Sequence, residues 1–296
     1  MSLLRLADRE LELAPGRPAL MGIVNASPES FSDGGALRTT EARVAHGLRL
    51  AAEGAAIVDV GGESGVTHLP AVTVDEEIAR AVPVVERLAA AGVTVSIDTW
   101  KAPVARAALA AGATMVNDPS GLRDSAVAAA CAEHDAALVV THTGAEPKTK
   151  AFPAYGDVLA EVLAVLERRT AVARAHGVAS DRVAVDPGLD LGKTPPDSVA
   201  VLRGLGELHS LGHPVLLAAS RKDFVGALTE RPPADRLGGT LAAIAAGVEA
   251  GAAIVRVHDV AATADYLAVR AAVVGDVAVA RELRLPEGLR RQRAAA

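Results

Sequence analysis

Residues 93–117 read VTVSIDTWKAPVARAALAAGATMVN and form one complete strand–helix–strand pattern. The runs Val93-Thr-Val-Ser-Ile-Asp98 and Ala113-Thr-Met-Val-Asn117 are short, apolar and rich in β-branched residues, which is typical of buried parallel strands. Residues 104–111 have helical spacing, and Gly112 follows them where a helix often ends in glycine. The stretch predicts a β–α–β unit in which both strands end in a polar residue.

The same pattern recurs along the rest of the chain. Six more short apolar runs are Leu20-Met-Gly-Ile-Val-Asn25, Ala55-Ala-Ile-Val-Asp59, Ala136-Ala-Leu-Val-Val-Thr-His142, Arg182-Val-Ala-Val-Asp186, Pro214-Val-Leu-Leu-Ala218 and Ala253-Ile-Val-Arg256. Stretches with helical spacing, such as residues 75–91 and 157–175, lie between them. Eight strands alternating with helices over residues 20–275 predict an α/β protein with the (β/α)₈, or TIM, barrel fold. A doubly wound sheet is the alternative, but it usually has fewer units.

Length and composition set the class of protein. A chain of 296 residues suits one such barrel, which typically takes roughly 250 residues. We expect a single domain over residues 1–296, with an N-terminal hairpin extension in residues 1–16 and a charged peripheral tail in residues 281–296. The net charge of −6 argues against nucleic-acid binding. The single cysteine, Cys131, and the absence of a signal-peptide pattern predict a cytoplasmic protein.

Polar residues follow most of the predicted strands. In a TIM barrel the carboxyl ends of the strands surround one mouth, and catalytic groups come from those ends. The predicted ring consists of Asn25, Asp59, Asp98, Asn117, His142, Asp186, Lys222, Arg256 and His258. Acids beside amides suit a planar heterocycle with several N–H donors. Arg256 and His258 suit a phosphate, and Mg²⁺ could bridge that phosphate to Asn25.

Several of these residues have a purely structural alternative. Asp59 could cap a loop, and Asp98 could cap the helix that follows it. Asn117 and Asp118, which precede a proline, could form an Asx-turn. His142 could be a packed, hydrogen-bonded residue without a direct role. Asp186 is harder to assign in this way, because a buried acid at a strand end needs a partner.

The motifs resemble those of the dihydropteroate synthase family. Its first-loop signature is similar to residues 21–35, MGIVNASPESFSDGG, and further matches follow in order over nearly the whole chain. They are Asp59-Val-Gly-Gly-Glu-Ser64, Ile97-Asp-Thr99, Val116-Asn-Asp118, Asp186-Pro-Gly188, Gly192-Lys193, Ser220-Arg-Lys-Asp-Phe224 and Arg256-Val-His-Asp-Val260. The first and the last two are highly specific in combination.

The resemblance implies a reaction and a set of roles. The family joins 6-hydroxymethyl-7,8-dihydropterin diphosphate to p-aminobenzoate and releases diphosphate, in folate biosynthesis. By position, Asp98, Asn117, Asp186 and Lys222 would bind the pterin, and Asn25, Arg256 and His258 would bind the diphosphate, with Mg²⁺ at Asn25. Lys222, Asp98 and Arg256 would be the catalytic residues. A homodimer is also implied.

The acceptor half departs from the family pattern. The family's second loop reads Ser-Thr-Arg-Pro-Gly, whereas here Gly65 and Val66 follow Ser64. Leu191 replaces the aromatic residue that flanks the acceptor ring, and Asp223 replaces a serine that receives the acceptor's carboxylate at a helix N-terminus. We expect Asp223 to satisfy the helix N–H groups itself and to repel that carboxylate. At ~4 Å the repulsion is of order a few kcal/mol, or ~10²-fold in affinity.

Three functions are therefore considered. The first is a working dihydropteroate synthase with an unusual acceptor pocket. The second is a pterin-binding paralogue that lacks synthase activity or uses another amine, as in the divergent second copies that some bacteria carry. The third is a pterin-dependent methyltransferase acting on a corrinoid partner; that class should lack both the Phe31-Ser-Asp-Gly-Gly35 and the Ser220-Arg-Lys222 motifs found here.

Overall fold

The computed structural model describes residues 2–27, 39–64 and 70–289. An antiparallel hairpin of β1 (Ser2–Arg5) and β2 (Glu10–Leu13) comes first. Eight parallel strands follow: β3 (Ala19–Asn25), β4 (Ile57–Gly61), β5 (Val95–Asp98), β6 (Met115–Asp118), β7 (Ala137–Thr141), β8 (Val183–Asp186), β9 (Leu216–Leu217) and β10 (Ile254–Val257). Their order is β8-β7-β6-β5-β4-β3-β10-β9, and a parallel bridge between Val185 and Val215 closes the ring. The predicted (β/α)₈ barrel is confirmed.

Helices connect the strands on the outside. They are α1 (Thr40–Ala52), α2 (Val74–Ala90), α3 (Ala102–Ala110), α4 (Ala126–Glu133), α5 (Val158–Ala175), α6 (Pro195–Arg203), α7 (Asp223–Thr229), α8 (Leu237–Glu249) and α9 (Val260–Val273). Gly112 and Gly177 follow α3 and α5 with φ of 104° and 95°, a backbone conformation that side chains with a Cβ rarely adopt. The short α7 is an extra element between β9 and α8. No helix within the described ranges has the length and apolar character that a membrane span requires.

Two apolar layers follow from the alternation of side chains along each strand. Outward residues such as Val58, Val95 and Leu138 pack under the helices in one large cluster. Inward residues such as Met21 and Met115 form a second cluster inside the ring. Alternate positions along each strand therefore contribute to the helix-facing layer and to the barrel interior.

The N-terminal hairpin belongs to the inner layer. Leu4, Leu6 and Leu13 are buried, with exposures of 0%, 3% and 2%, in the same cluster as Met21 and Met115. The hairpin therefore packs against the amino-terminal side of the barrel interior and leaves the carboxyl ends of the strands as the open side.

This packing predicts a large difference between two neighbouring leucines. Replacing Leu4, which is 0% exposed, by alanine should lower the free energy of unfolding by about 2–5 kcal/mol, because it opens a cavity in the inner layer. Leu3→Ala is the matched control, because Leu3 is 40% exposed and should change it by less than about 0.5 kcal/mol. Urea unfolding followed by circular dichroism measures both. Equal losses would show that the hairpin does not pack in this way.

Candidate active site

The barrel interior is polar near the carboxyl ends of the strands, and the alternation of side chains along each strand explains why. Each of four strands carries a polar residue two positions after an inward apolar residue, and so on the same face. The pairs are Ile57 and Asp59, Met115 and Asn117, Ala184 and Asp186, and Ile254 and Arg256. Strand register then aligns Asn25 with Gly61, Gly61 with Asp98, and Asp98 with Asn117. Six predicted strand-end residues thus lie around one mouth.

Arg256 joins two carboxylates at the centre of this mouth. Its Nε donates to Asp59 Oδ2 at 2.6 Å, and its Nη2 donates to Asp98 Oδ2 at 2.6 Å. Asn117 Nδ2 donates to the same Asp59 oxygen at 3.0 Å. Among the described residues, the other oxygen of Asp59 is buried without a hydrogen-bond partner. Because a buried acceptor without a donor is costly, this oxygen suits a ligand that carries N–H groups.

The carboxyl group of Asp98 is unusually basic. Burial raises its pKa to about 7, against the opposing effect of the Arg256 charge and with a further increase from Asp59. For Arg256, burial acts to lower the pKa, but the charges of Asp59 and Asp98 outweigh it and raise the pKa. The guanidinium is therefore charged, and Asp98 changes its protonation near neutral pH.

Asp186 is held by backbone groups on both sides. Its Oδ1 accepts from the N–H of Gly188 at 2.7 Å, and its carbonyl accepts from the N–H of His142 at 2.8 Å. Burial raises the pKa of the Asp186 carboxyl, while the Gly188 N–H and the charge of Lys222 act in the opposite direction. The side chain is 4% exposed, so its carboxylate is available to a ligand only inside the barrel.

Lys193 is a buried cationic group beside Asp186 that the sequence analysis did not assign. Its Nζ donates to His142 Nδ1 at 2.6 Å and to the carbonyl of Gly188 at 2.9 Å. Burial lowers the pKa of Lys193 to about 7, and burial together with the charge of Lys193 lowers the pKa of His142 to about 3. His142 is thus a neutral acceptor that fixes Lys193, in agreement with its structural alternative.

His258 is also neutral. Burial and the charges of Arg221 and Arg256 lower its pKa to about 3. Ser220 Oγ lies 3.0 Å from His258 Nδ1 and accepts from the backbone N–H of His258 at 3.2 Å. The low pKa keeps the His258 ring uncharged, and a neutral imidazole has one N–H donor and one acceptor nitrogen. His258 therefore offers an anion no charge.

The start of α7 differs from the expectation. Asp223 does not satisfy the N–H groups there, because its carboxylate is 88% exposed and pairs with Arg236 at 3.0 Å. Asp190 does so instead, since its Oδ2 accepts from the backbone N–H groups of both Asp223 and Phe224. The expectation that Asp223 satisfies these N–H groups is wrong, because the carboxylate of Asp190, in the loop after β8, accepts from both of them.

The other structural alternatives are decided by contacts. Asp98 does not cap α3, whose N-cap residue is Lys101. Asp118 forms the expected Asx-turn, with Oδ1 accepting from the N–H of Ser120 at 2.7 Å, while Asn117 points into the barrel. Within the described ranges, the side chain of Asp59 contacts Asn117 and Arg256 and caps no loop. The family resemblance gave Asp59 no role, but its side chain lies in the mouth, as its strand-end position predicts.

An ion-pair network supports the rim of the mouth. Lys101 Nζ lies 2.7 Å from Glu63 and 2.8 Å from Glu77, whose side chains are 2% and 0% exposed. Thr99 Oγ1 donates to Glu77 at 2.7 Å, and Lys148 Nζ donates to the carbonyl of Ser64 at 2.8 Å. The network joins the loops after β4, β5 and β7. The predicted changes at Gly65 and Val66 and the first-loop residues 28–35 lie outside the described residues.

A cavity of about 710 Å³ opens beside Lys222 at the same end of the barrel. It lies between the loop of residues 143–152 and the loop of residues 190–193, and Trp100 and Phe152 contribute to its wall. Lys222 and Lys193 line this cavity, and the charges of both act on Asp186. The mouth thus offers two adjoining spaces.

A metal ion would find few protein ligands here. Within the described ranges, no group of three or more His, Cys, Asp or Glu residues could hold a metal. Asn25, at the end of β3, supplies one hard amide oxygen. This donor fits Mg²⁺, which usually keeps several waters and is bound through few protein ligands plus substrate phosphates.

Comparisons with known proteins agree with this geometry. Residues 21–258 match the family model described as pterin binding enzyme. The chain is 46% identical to dihydropteroate synthase from Mycobacterium leprae, covering 88% of this chain and 94% of that protein. It is 43% identical to inactive dihydropteroate synthase 2 from the same organism, covering 89% and 93%.

A solved structure has the same fold. Dihydropteroate synthase from Xanthomonas albilineans, determined with 4-aminobenzoic acid, is 46% identical, with a TM-score of 0.85 over 92% of this chain and 98% of that one. The family model and these relatives cover most of the chain. It is therefore a member of the dihydropteroate synthase family of pterin-binding enzymes.

Proposed function

We propose that this chain is a transferase that joins 6-hydroxymethyl-7,8-dihydropterin diphosphate to p-aminobenzoate and releases diphosphate, a step of folate biosynthesis. The observation that carries the proposal is the set of buried carboxylates around Asn117 inside one closed barrel. Family membership and the similarity to synthases support it. The proposal includes a cytoplasmic homodimer, which rests on the resemblance and on the single thiol, Cys131.

The inner residues would bind the pterin. Asp98, Asn117 and Asp186 present carboxylate and amide oxygens to a ring edge with N–H donors, and carboxylates accept such donors in pairs. The buried oxygen of Asp59 adds an acceptor at the same level. Lys222, whose charge acts on Asp186, would contact the edge of the same ring that carries hydrogen-bond acceptors.

The rim residues would bind the diphosphate. A guanidinium has five N–H donors, and the contacts of Arg256 with Asp59 and Asp98 use two of its nitrogens. His258 contributes a neutral N–H donor. Asn25 would hold Mg²⁺, which when bound neutralises part of the phosphate charge. Stabilising the departing anion is the main electrostatic task in this reaction.

The chemistry needs no covalent enzyme intermediate. The bond between the exocyclic methylene carbon and the diphosphate oxygen breaks, and its electron pair leaves with the diphosphate. The pterin delocalises the positive charge left on the methylene. The amine nitrogen of the acceptor then forms the new C–N bond and loses one proton. A closed barrel protects the cation from water until the amine arrives.

A second candidate function has its own support. A relative named as an inactive dihydropteroate synthase 2 is 43% identical over 89% of this chain, nearly as similar as the active one. Asp190 also occupies the amide groups at the start of α7. The alternative is a pterin-binding paralogue that lacks synthase activity or uses another amine.

Diphosphate release with and without p-aminobenzoate separates the two candidates. A synthase should release diphosphate and form dihydropteroate in equal amounts, and only when the amine is present. Release that does not respond to p-aminobenzoate, or none at all despite pterin binding, would favour the paralogue. If pterin diphosphate does not bind in calorimetry, both candidates fail.

Pterin affinity should depend on the inner polar residues. Asp186→Asn and Asn117→Ala should each weaken binding of the pterin diphosphate by about tenfold or more, because each leaves a buried ring donor or acceptor unpaired. Asp235→Asn, at an exposed position near α8, is the control and should bind normally. Isothermal titration calorimetry measures the three affinities. Normal binding by Asp186→Asn would place the ring elsewhere.

The raised pKa of Asp98 predicts that pterin binding depends on pH. A carboxyl group with a pKa of about 7 is ionised roughly eightfold less at about pH 6 than at about pH 7.5. Because the ionised form accepts from the ring, affinity for 6-hydroxymethylpterin, which lacks phosphates, should fall by about that factor as the pH falls. Asp98→Asn should bind more weakly and remove most of this dependence. If that variant keeps the full dependence, another group such as Lys193 or Asp118 is responsible.

A further inference from the structure

The cavity beside Lys222 has the features of a site for a flat molecule. Only six residues of the chain are aromatic, one Trp, two Tyr and three Phe, and two of them, Trp100 and Phe152, line this one cavity. Two contacts fix the loop that carries Phe152: Gly144 N–H donates to the carbonyl of Leu191 at 3.2 Å, and the Tyr155 hydroxyl donates to the carbonyl of Gly192 at 2.9 Å. The cavity therefore has a defined aromatic wall next to the proposed pterin site.

Asp190 lies on the opposite wall and is held from several directions. Its φ of 65° is in the left-handed region, which is uncommon for a residue with a side chain. Ser198, which is fully buried, donates its hydroxyl to Asp190 Oδ1 at 3.0 Å and accepts from the Asp190 N–H at 3.0 Å. The N–H groups of Asp223 and Phe224 donate to Oδ2. A carboxylate with hydrogen-bond donors on both oxygens is fixed in place.

The fixed carboxylate of Asp190 changes which hydrogen-bond donors this wall of the cavity offers to a ligand. The two backbone N–H groups at the start of α7 would otherwise be donors for an anionic group, and Asp190 uses both. Of the cations that line the cavity, Arg221 pairs with Asp259 at 2.8 Å and Lys193 donates to the carbonyl of Gly188, while Lys150 and Lys222 lie on other parts of the lining. At the start of α7, an anionic substituent would meet the negative charge of Asp190 and find both amide donors already used.

We propose that Asp190 is a specificity-determining residue of the acceptor cavity, which disfavours amines that carry an anionic group and favours uncharged aryl amines. The proposal rests on the pterin-transfer step of the proposed function and concerns which aryl amines are preferred as its acceptor. It predicts a synthase that binds p-aminobenzoate poorly compared with its uncharged amide. Asp223 also lines the cavity, but its carboxylate is exposed and paired with Arg236.

Asp190→Asn tests the charge with little change of shape. Asparagine tolerates the left-handed backbone, and its side-chain oxygen can accept from the same two N–H groups. The ratio of kcat/KM for p-aminobenzoate to that for 4-aminobenzamide should rise by about tenfold in this variant, with the benzamide value changed less than about twofold. Asp190→Gly, which suits the φ of 65° and also releases the two amides, should raise the ratio further. Asp235→Asn, at an exposed position outside the residues that line the cavity, is the control and should leave the ratio unchanged.

Binding in the absence of turnover separates this proposal from the proposed function. Calorimetry with p-aminobenzoate and 4-aminobenzamide, on protein loaded with the pterin and diphosphate, measures the same selectivity without the reaction. If Asp190→Asn tightens p-aminobenzoate binding about tenfold while no product forms, Asp190 sets the selectivity and the synthase function fails. If neither the kinetic ratio nor the binding ratio changes in Asp190→Asn and Asp190→Gly, or if both acceptors gain equally, the role of Asp190 is overturned.

Discussion

The contact of Arg256 with Asp59 and Asp98 is the constraint on which the rest of the mouth depends. Strand alternation turns Asp59 into the barrel, where an unpaired charge would be strongly unfavourable. The guanidinium, from a strand on the other side of β3, contacts both carboxylates at 2.6 Å. Asn117 then attaches to the same Asp59 oxygen. These side chains thus form a preformed array of hydrogen-bond acceptors, which a ring rich in N–H donors can enter without large rearrangement.

Beside this array, after β7 and β8, lie two buried groups whose pKa values are lowered, His142 and Lys193. Lys193 holds the loop after β8 to His142, and this loop supplies the N–H that binds Asp186. The low pKa of His142, caused by burial and the charge of Lys193, keeps the imidazole an acceptor. The loop that orients Asp186 also carries Asp190 toward α7. One short segment, residues 186–193, thus carries residues of both the proposed pterin site and the proposed acceptor cavity.

Much of the fold could be predicted because its signals are local. Each of the eight apolar runs became a strand, although β9 is limited to Leu216–Leu217 within the longer predicted run of residues 214–218. Side-chain partners could not be predicted in the same way, because Arg256 and Asp59 are 197 residues apart. The prediction that Asp223 caps α7 failed for the same reason. Local capping rules favour Asp223, whereas the N–H groups at the start of α7 donate to Asp190, 33 residues earlier. The strand-end pattern identified Asp59 as a residue of the ring, but no local signal identifies Asp190.

A crystal structure of the chain soaked with pterin diphosphate tests the central claim most directly. The account predicts a bicyclic ring inside the barrel, with its N–H edge on Asp98, Asn117 and Asp186 and its diphosphate at Arg256 and His258. A ring bound instead between residues 143–152 and 190–193, with Arg256 still joining Asp59 and Asp98 and no ligand beside them, would contradict it.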